Sequence, residues 1–422
     1  MLQVPFIRQN KEFVLERLAF KNFKELEVVE EVLALDDKRK KLTLEYDETQ
    51  AQVNSLSKEI GKLMAQGKKE EGEAQRAAVA ALKDRLGPVN EELNATEKAL
   101  HDTLVKLPNL PAAMVPAGKT PEENEEVRSG GKIPDLYAGA VPHWDLAKQY
   151  ELIDFELGNK ITGSGFPVFK NRGARLQRAL IQYFLDYNTS NGYTEYAPPY
   201  LVNEASAYGT GQLPDKEGQM YHATEDNYYL IPTAEVPVTN IYRDEIVKDT
   251  DLPIKMTAYT PCFRREAGSY GKDVRGLNRV HQFDKVEIVQ LVHPEKSFEA
   301  LDEMIAHVET LLNQLELPYR ILRLCAGDMS FTSAITYDFE VYSAAQQKWL
   351  EVSSVSNFEA YQTNRMKIRF KENNGKPQLV HSLNGSSLAL PRILACLLEN
   401  NQTAEGIQVP TVLQSYFGSH MI

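Results

Sequence analysis

From Val28 onward, apolar residues recur at alternating spacings of four and three: Val28, Val32, Leu35, Leu42, Tyr46, Val53, Leu56, Ile60 and Leu63, with only Arg39 and Thr49 breaking the seam. A second run, Val79, Leu82, Leu86, Val89, Leu93, Leu100 and Leu107, obeys the same rule with Thr96 and Thr103 as lapses. A period of 3.5 draws a single apolar seam along a helix, and such a seam needs a partner helix. Between the runs lies Gly61-Lys-Leu-Met-Ala-Gln-Gly67-Lys-Lys-Glu-Glu-Gly72, whose glycines permit a tight reversal. The spacing therefore predicts two antiparallel helices over about 27–107, within an N-terminal unit spanning 1–110. At 1.5 Å per residue, ~37 residues per helix give an arm on the order of 55 Å long. Pro88 removes a backbone donor inside the second helix, and a bend is expected there.

Composition narrows the function classes. With 422 residues, 42% hydrophobic and 25% charged, the chain has room for two or three folded domains and lacks the bias of disordered or membrane proteins. No stretch approaches the ~20 apolar residues of a spanning helix, and the N-terminus shows no secretory pattern, so the cytoplasm is the expected compartment. Cys262, Cys325 and Cys396 lie far apart without histidines at ligand spacing, which reads as buried thiols and gives no reason to expect zinc. A net charge of -12 argues against general adhesion to nucleic acid, so any such partner must be met by local patches. Two exist on the arm: Lys38-Arg39-Lys40-Lys41, and Lys58, Lys62, Lys68 and Lys69 near the reversal. By themselves they read equally as a solvated helix face. Segment 111–133, rich in Pro, Gly and charge, reads as a linker to a second domain over 134–422.

The densest chemistry lies between Pro261 and Gln290: Pro-Cys-Phe-Arg-Arg-Glu, a Gly-rich stretch from Ala267 to Asn278, then Val280-His-Gln-Phe-Asp-Lys-Val-Glu-Ile-Val-Gln290. If the flanks are strands, Arg264 and Glu266 share one face, and Phe283, Lys285 and Glu287 share one on the return strand while Val286 and Ile288 face the other way. A sheet with one wet face shows the same alternation. The loop between, holding Arg265, Lys272, Arg275 and Arg279, suits a mobile cover over a polyphosphate. Upstream, Leu176, Ala179, Leu180, Tyr183 and Phe184 mark an amphipathic helix ending near Asn191-Gly192, followed by a strand whose Pro198 and Pro199 belong at an edge or interface. Thr233 and Glu235 sit at i, i+2 in Tyr229-Leu-Ile-Pro-Thr-Ala-Glu-Val-Pro-Val238, on one face if that segment is extended. Glu351 and Ser354, beyond a strand over 336–342, are hard oxygen donors suited to Mg²⁺. Finally, Leu379-Val-His-Ser-Leu-Asn-Gly-Ser386 leads into a helix that starts near Pro391, leaving Arg392 in the first turn, where the helix dipole disfavours a cation and a bound anion would favour it.

Phe-Arg-x-Glu at 263–266 with His281-Gln-Phe-Asp-Lys-Val-Glu287 resembles motif 2 of class II aminoacyl-tRNA synthetases, and the chain is most similar to the seryl-tRNA synthetase family. The helix, strand and proline order before Tyr200 resembles motif 1, and the segment around Arg392 resembles motif 3 except that Pro391 stands where a small residue is usual. The resemblance implies an α+β fold, an antiparallel sheet flanked by helices behind the helical arm, and a homodimer. It implies activation of L-serine by ATP and transfer to the 3′ end of tRNA(Ser), extending to tRNA(Sec). Serine would be met by Thr233, Ala234, Glu235, Arg264, Glu287, Asn384 and Ser386. ATP would be held by Arg264, Arg265, Glu266, Val280, Phe283, Lys285, Glu351, Val352, Ser353, Ser354 and Arg392, with Mg²⁺ at Glu351 and Ser354. Arg264, Glu266 and Arg392 would be catalytic, and Lys38, Arg39, Lys58, Lys62, Lys68 and Lys69 would meet tRNA. Two alternatives remain open: an adenylating enzyme that loads a carrier protein, and a non-catalytic coiled-coil adaptor. Residues Gly418-Ser-His-Met421 resemble a cloning remnant.

Overall fold

A computed structural model describes all residues except Lys216, 268–274 and 373–374, so Lys272 lies outside the described residues. The chain forms two compact units, Met1–Pro108 and Asn109–Ile422.

In the first unit the two long helices form where the heptads place them, α1 over Val28–Ala65 and α2 over Lys69–Leu104. They pack on each other along their length. Of the three glycines only Gly67 lies in the turn, with φ +76°, a conformation open to glycine at no steric cost. The expected lapses are seam residues after all: Thr49, Thr96 and Thr103 are buried. Thr96 returns its hydroxyl to the Glu92 carbonyl at 2.8 Å, so the seam carries no orphaned hydroxyl there. Arg39 leaves the seam to pair with Asp36 at 2.8 Å. Helix α2 runs unbroken through Pro88.

The second unit is built on an eight-stranded sheet. Its strands are β1 (Glu125–Gly130), β2 (Thr194–Glu195), β3 (Ile254–Phe263), β4 (Gln282–Val292), β5 (Tyr319–Arg323), β6 (Ile335–Ser343), β7 (Lys348–Glu359) and β8 (His381–Ala389), in the order β1-β5-β6-β7-β8-β4-β3-β2. Every pairing is antiparallel except that of β2, an edge strand that runs parallel to β3. The segment before Pro198 and Pro199 is thus an edge, where a missing N–H leaves no gap in the ladder. Two helices cover the back of the sheet, α3 (Asn171–Ser190) and α4 (Ser297–Gln314). All five apolar residues predicted for the inner face of α3 are buried. A buried polar tie locks this layer: Asn188 receives Ser387 of β8 at 2.8 Å and donates to Thr257 of β3 at 2.9 Å. Because side chains alternate along β8, Ser387 and Gly385 face these helices while Asn384 and Ser386 face the front. Helix α5 (Leu390–Asn400) follows β8 directly, with Pro391 in its first turn.

Segment 111–133 is not a linker. Asn109 donates to the carbonyls of Thr332 and Phe358 at 2.9 Å, Ala112 to that of Ala334 at 2.8 Å, and Glu125–Gly130 is the edge strand paired to β5. Its exposed, charged sequence hid this role, since an edge strand lacks the apolar alternation of an inner one. The C-terminal residues 418–422 are part of the fold: Val409 donates to the His420 carbonyl at 2.9 Å, Ile407 and Ile422 exchange backbone hydrogen bonds at 3.1 and 2.8 Å, and Ile422 is buried.

Candidate functional site

The front face of the sheet carries an open cavity. Strand β4 contributes Phe283, Lys285 and Glu287 to its wall, β7 contributes Glu351, Val352, Ser353 and Ser354, and β8 contributes Asn384 and Ser386. Arg264, Glu266 and Val280 enter from the β3–β4 connection and Arg392 from the first turn of α5. Thirteen residues expected from sequence therefore converge from segments more than a hundred positions apart in the chain. The period-two reading of β4 holds, with Val286 and Ile288 fully buried on the other face.

At one end of the cavity lies a buried charged group. Lys285 Nζ stands 2.6 Å from Glu287 Oε2 and donates to Thr233 Oγ1 at 3.0 Å, and Thr233 donates to Glu287 Oε2 at 3.2 Å. Glu235 lies behind this group and accepts from Gln362 Nε2 at 2.6 Å, while Gln362 accepts from Ser382 at 2.8 Å. Burial pushes the Glu235 carboxyl up to about 7 against the Gln362 hydrogen bond, with the charge of Glu287 adding to the rise. Burial also raises Glu287, opposed by Lys285. Burial thus disfavours the negative charge of both acids, and Lys285 beside Glu287 offsets it only in part. Thr233, Ala234 and Glu235 do not lie in an extended segment: Ala234 has φ -64° and ψ -19°, and Glu235 opens a helix, Glu235–Asn240. Pro237 at the third helical position, where it forfeits no helical bond, masked that helix in the sequence.

The other end sets arginines beside acids. Arg264 follows β3 directly, donates from Nε to the Pro232 carbonyl at 3.3 Å and lies 5.2 Å from the Phe283 ring centroid. Glu266 has left the strand with φ +50° and pairs with Arg279, so it reaches the cavity through a turn and not through strand alternation. Arg392 donates to the carbonyls of Asn278 at 3.0 Å and Glu351 at 2.7 Å, with the Glu351 carboxylate 3.6 Å away. Arg265 is not in the cavity wall; its backbone bonds Gln219 at 2.9 Å. Beside Glu351 and Ser354, Asp338 sits opposite Ser354 on β6 and keeps one buried oxygen without a partner among the described residues. Burial and then the charge of Glu351 raise Asp338 well above the usual carboxylate range. An acidic, oxygen-only corner of this kind fits a hard cation such as Mg²⁺ whose other ligands are phosphate and water. No group of three or more His, Cys, Asp or Glu poised for a metal occurs among the described residues.

On the arm, part of the expected basic surface is spent internally. Lys38 pairs with Glu92 at 2.9 Å, Arg39 and Lys40 with Asp36 at 2.8 and 2.7 Å, and Lys68 with Glu71 at 3.4 Å. Lys58, Lys62 and Lys69 are exposed.

Sequence reasoning gave no cavity role to Leu277, Asn278, Ala389 or Pro391, all of which line it. Nor did it single out His143 and Glu399, whose fully buried side chains meet at 2.6 Å behind Leu277 and Asn278. Their only signal in the sequence is that Glu399 stands seven residues after Arg392, on the same side of α5.

Comparison with known proteins agrees with this geometry. Residues 1–111 match the seryl-tRNA synthetase N-terminal domain and residues 219–401 match the tRNA synthetase class II core domain (G, H, P, S and T). A serine–tRNA ligase from Salinibacter ruber is 48% identical over 420 residues, covering 99% of this chain and 98% of the relative. Seryl-tRNA synthetase from Pyrococcus horikoshii, solved with ATP, superposes with a TM-score of 0.91 at 33% identity over 100% of this chain and 99% of its own. The cytoplasmic serine–tRNA ligase of Naegleria fowleri, solved with AMP, gives 0.86 at 25% identity over 100% and 98%. Full-length identity, both domain matches and the convergence of residues from 264–287, 351–354 and 384–392 on one cavity lead to one conclusion: the chain belongs to the seryl-tRNA synthetase family of class II aminoacyl-tRNA ligases.

Proposed function

We propose that this chain uses ATP to activate L-serine and then loads it onto the 3′ end of tRNA(Ser). The observation that carries the reading is the convergence of Arg264, Glu287, Glu351 and Arg392 on one cavity, with Glu287 beside Lys285 at one end and Arg392 beside Glu351 at the other. In the first step a serine carboxylate oxygen attacks the α-phosphorus, the bond to the β-bridging oxygen breaks, and pyrophosphate leaves. In the second, a ribose hydroxyl attacks the acyl carbon and AMP leaves with the bonding pair. No side chain need form a covalent bond. Arg264 neutralises the α-phosphate and the serine carboxylate, and Arg392 the distal phosphates, as fixed charges that need no reorganisation during reaction. Phe283 supplies a ring face to adenine, while Glu266 and the backbone at Val280 hold the base. Glu351 and Ser354 would hold Mg²⁺, which supplies charge neutralisation along the phosphates.

Glu287 and Ser386, aided by Thr233 and Glu235, meet the serine ammonium and hydroxyl. A site built to bond a hydroxyl rejects alanine because its own polar groups are left unpaired, an effect that can reach ~10⁴. ATP–pyrophosphate exchange with serine, threonine, alanine and glycine tests the assignment. Serine alone is expected to support rapid exchange, and equal rates with alanine would refute a hydroxyl-reading pocket. Charging assays on transcripts of tRNA(Ser) and tRNA(Sec) test both acceptors, for which Lys58, Lys62 and Lys69 offer phosphate contacts. A two-fold dimer through the edge next to β2 is supported by Tyr200 and Leu201, 45% and 47% exposed beside Pro198 and Pro199. Sedimentation should show twice the chain mass, reduced to the chain mass by Leu201→Asp.

A further inference from the structure

The wall that faces the nucleotide is held from behind by a buried cluster with no contact to the acidic end of the cavity in its described bonds. His143 and Glu399 are both 0% exposed at the side chain. Glu399 Oε1 accepts from His143 Nδ1 at 2.6 Å, from the His143 backbone N–H at 2.9 Å and from Gln346 Nε2 at 2.8 Å, and Oε2 accepts from Ser343. With its proton fixed on Nδ1, the imidazole presents Nε2 as an acceptor, and the Leu277 backbone N–H donates to it at 2.8 Å. Gln346 Oε1 in turn accepts from Asn278 Nδ2 at 2.9 Å, and the Asn278 carbonyl accepts from Arg392 Nε at 3.0 Å. The close approach is built for: Gly276 has φ +64°, and a Cβ there would stand 2.2 Å from His143 Nε2. Arg275 lies over the neighbouring Trp144 ring at 4.5 Å. Helix α5 thus sends Arg392 into the cavity and, two turns on, Glu399 to the residue that fixes Arg392's own carbonyl partner.

We infer that His143 is a positioning residue for ATP: held by Glu399, its Nε2 sets the path of residues 275–279, and so the placement of Asn278 and Arg392 against the nucleotide. The inference rests on the assignment of this cavity to ATP and serine. It separates the two substrates, because Thr233, Glu235 and Glu287 are held by a different set of bonds, to Lys285 and Gln362.

The test is serine-dependent ATP–pyrophosphate exchange by full-length wild type, His143→Gln, His143→Asn and Gly276→Ala, with KM measured for each substrate. The longer glutamine places an oxygen where Nε2 accepts from Leu277, whereas asparagine reaches only toward Glu399. His143→Asn is expected to raise KM for ATP about tenfold with KM for serine moving less than about twofold, as loss of one aligned buried hydrogen bond would give. His143→Gln should recover most of that loss. Gly276→Ala, which keeps both residues of the buried pair but brings a Cβ to 2.2 Å from Nε2 from the loop side, should show the same split as asparagine. Parallel rises in both KM values, asparagine performing as well as glutamine, or a wild-type KM for ATP in Gly276→Ala would each overturn the inference. If the histidine variants do not fold, Gly276→Ala decides by the same criteria. Absence of exchange in the wild type would instead remove the functional assignment on which the inference stands.

Discussion

Glu235 and Glu287 are buried carboxyls side by side with Lys285, and their placement sets opposite demands on stability and function. Glu235 moves from an ordinary 4.5 to about 7 on folding, because burial penalises its charged form. The stability contributed by its neutral form is therefore fully present below about 4.5 and is lost as pH rises through about 7. Glu235→Gln should raise the melting temperature at pH 8, by a stabilisation on the order of 1 kcal/mol, and the gain should vanish near pH 4.5 in a calorimetric pH series. The same variant should bind serine more weakly, since the ammonium loses its counter-charge. In the wild type, KM for serine should rise as pH falls from 8 to 6, and the glutamine variant should flatten that rise. Glu287→Ala should abolish serine-dependent exchange while leaving Lys285 as a buried unpaired cation; near-normal exchange would remove Glu287 from the site. The period-two pattern made Phe283, Lys285 and Glu287 legible. It misassigned the route of Glu266, whose φ of +50° belongs to a turn that strand reasoning cannot anticipate.

Among the elements, the long helices were the most readable because one seam repeated over many turns accumulates signal that no single residue carries. What the pattern left out was a buried acid beside the seam. Asp36 is 3% exposed and receives Arg8 at 2.8 Å, Arg39 at 2.8 Å and Lys40 at 2.7 Å. Burial pushes its carboxyl up, but hydrogen bonds from Lys40, Arg39 and Arg8 outweigh it and hold the group well below the usual aspartate range. Its stabilising contribution is thus present above about 3.8 and lost as pH falls below it. Asp36→Asn should cost on the order of 1 kcal/mol at neutral pH, once screening of the half-exposed cations is allowed for, and the difference should shrink in acid. Hydrogen exchange of the α1 amides reads this directly. Edge elements were the least readable: β1 is exposed along almost its whole length and half of its residues are charged, so nothing in its sequence separates it from a loop.

At the scale of the whole molecule, the division at Pro108 separates a helical unit from the sheet unit that contains the entire cavity. Deleting Lys24 to Pro108 should therefore preserve serine-dependent pyrophosphate exchange and abolish charging of tRNA(Ser). Loss of exchange as well would show that the sheet unit does not stand alone, and retained charging would exclude the arm from tRNA recognition. It also discriminates against a carrier-loading enzyme, which has no use for the arm. The sequence by itself determined the helical hairpin, the amphipathic α3, the alternation of β4 and most of the residues that line the cavity, because each is written in local periodicity or in a contiguous motif. Only the tertiary structure decided that 111–133 completes a sheet edge, that Gly418–Met421 is built into the fold, that the Arg265 backbone is tied to Gln219, and that His143 and Glu399 stand behind the cavity wall. The physical reason is common to all four: each is fixed by a hydrogen-bond partner remote in sequence, and a lone donor or acceptor carries no mark of where its partner lies until folding brings the two together.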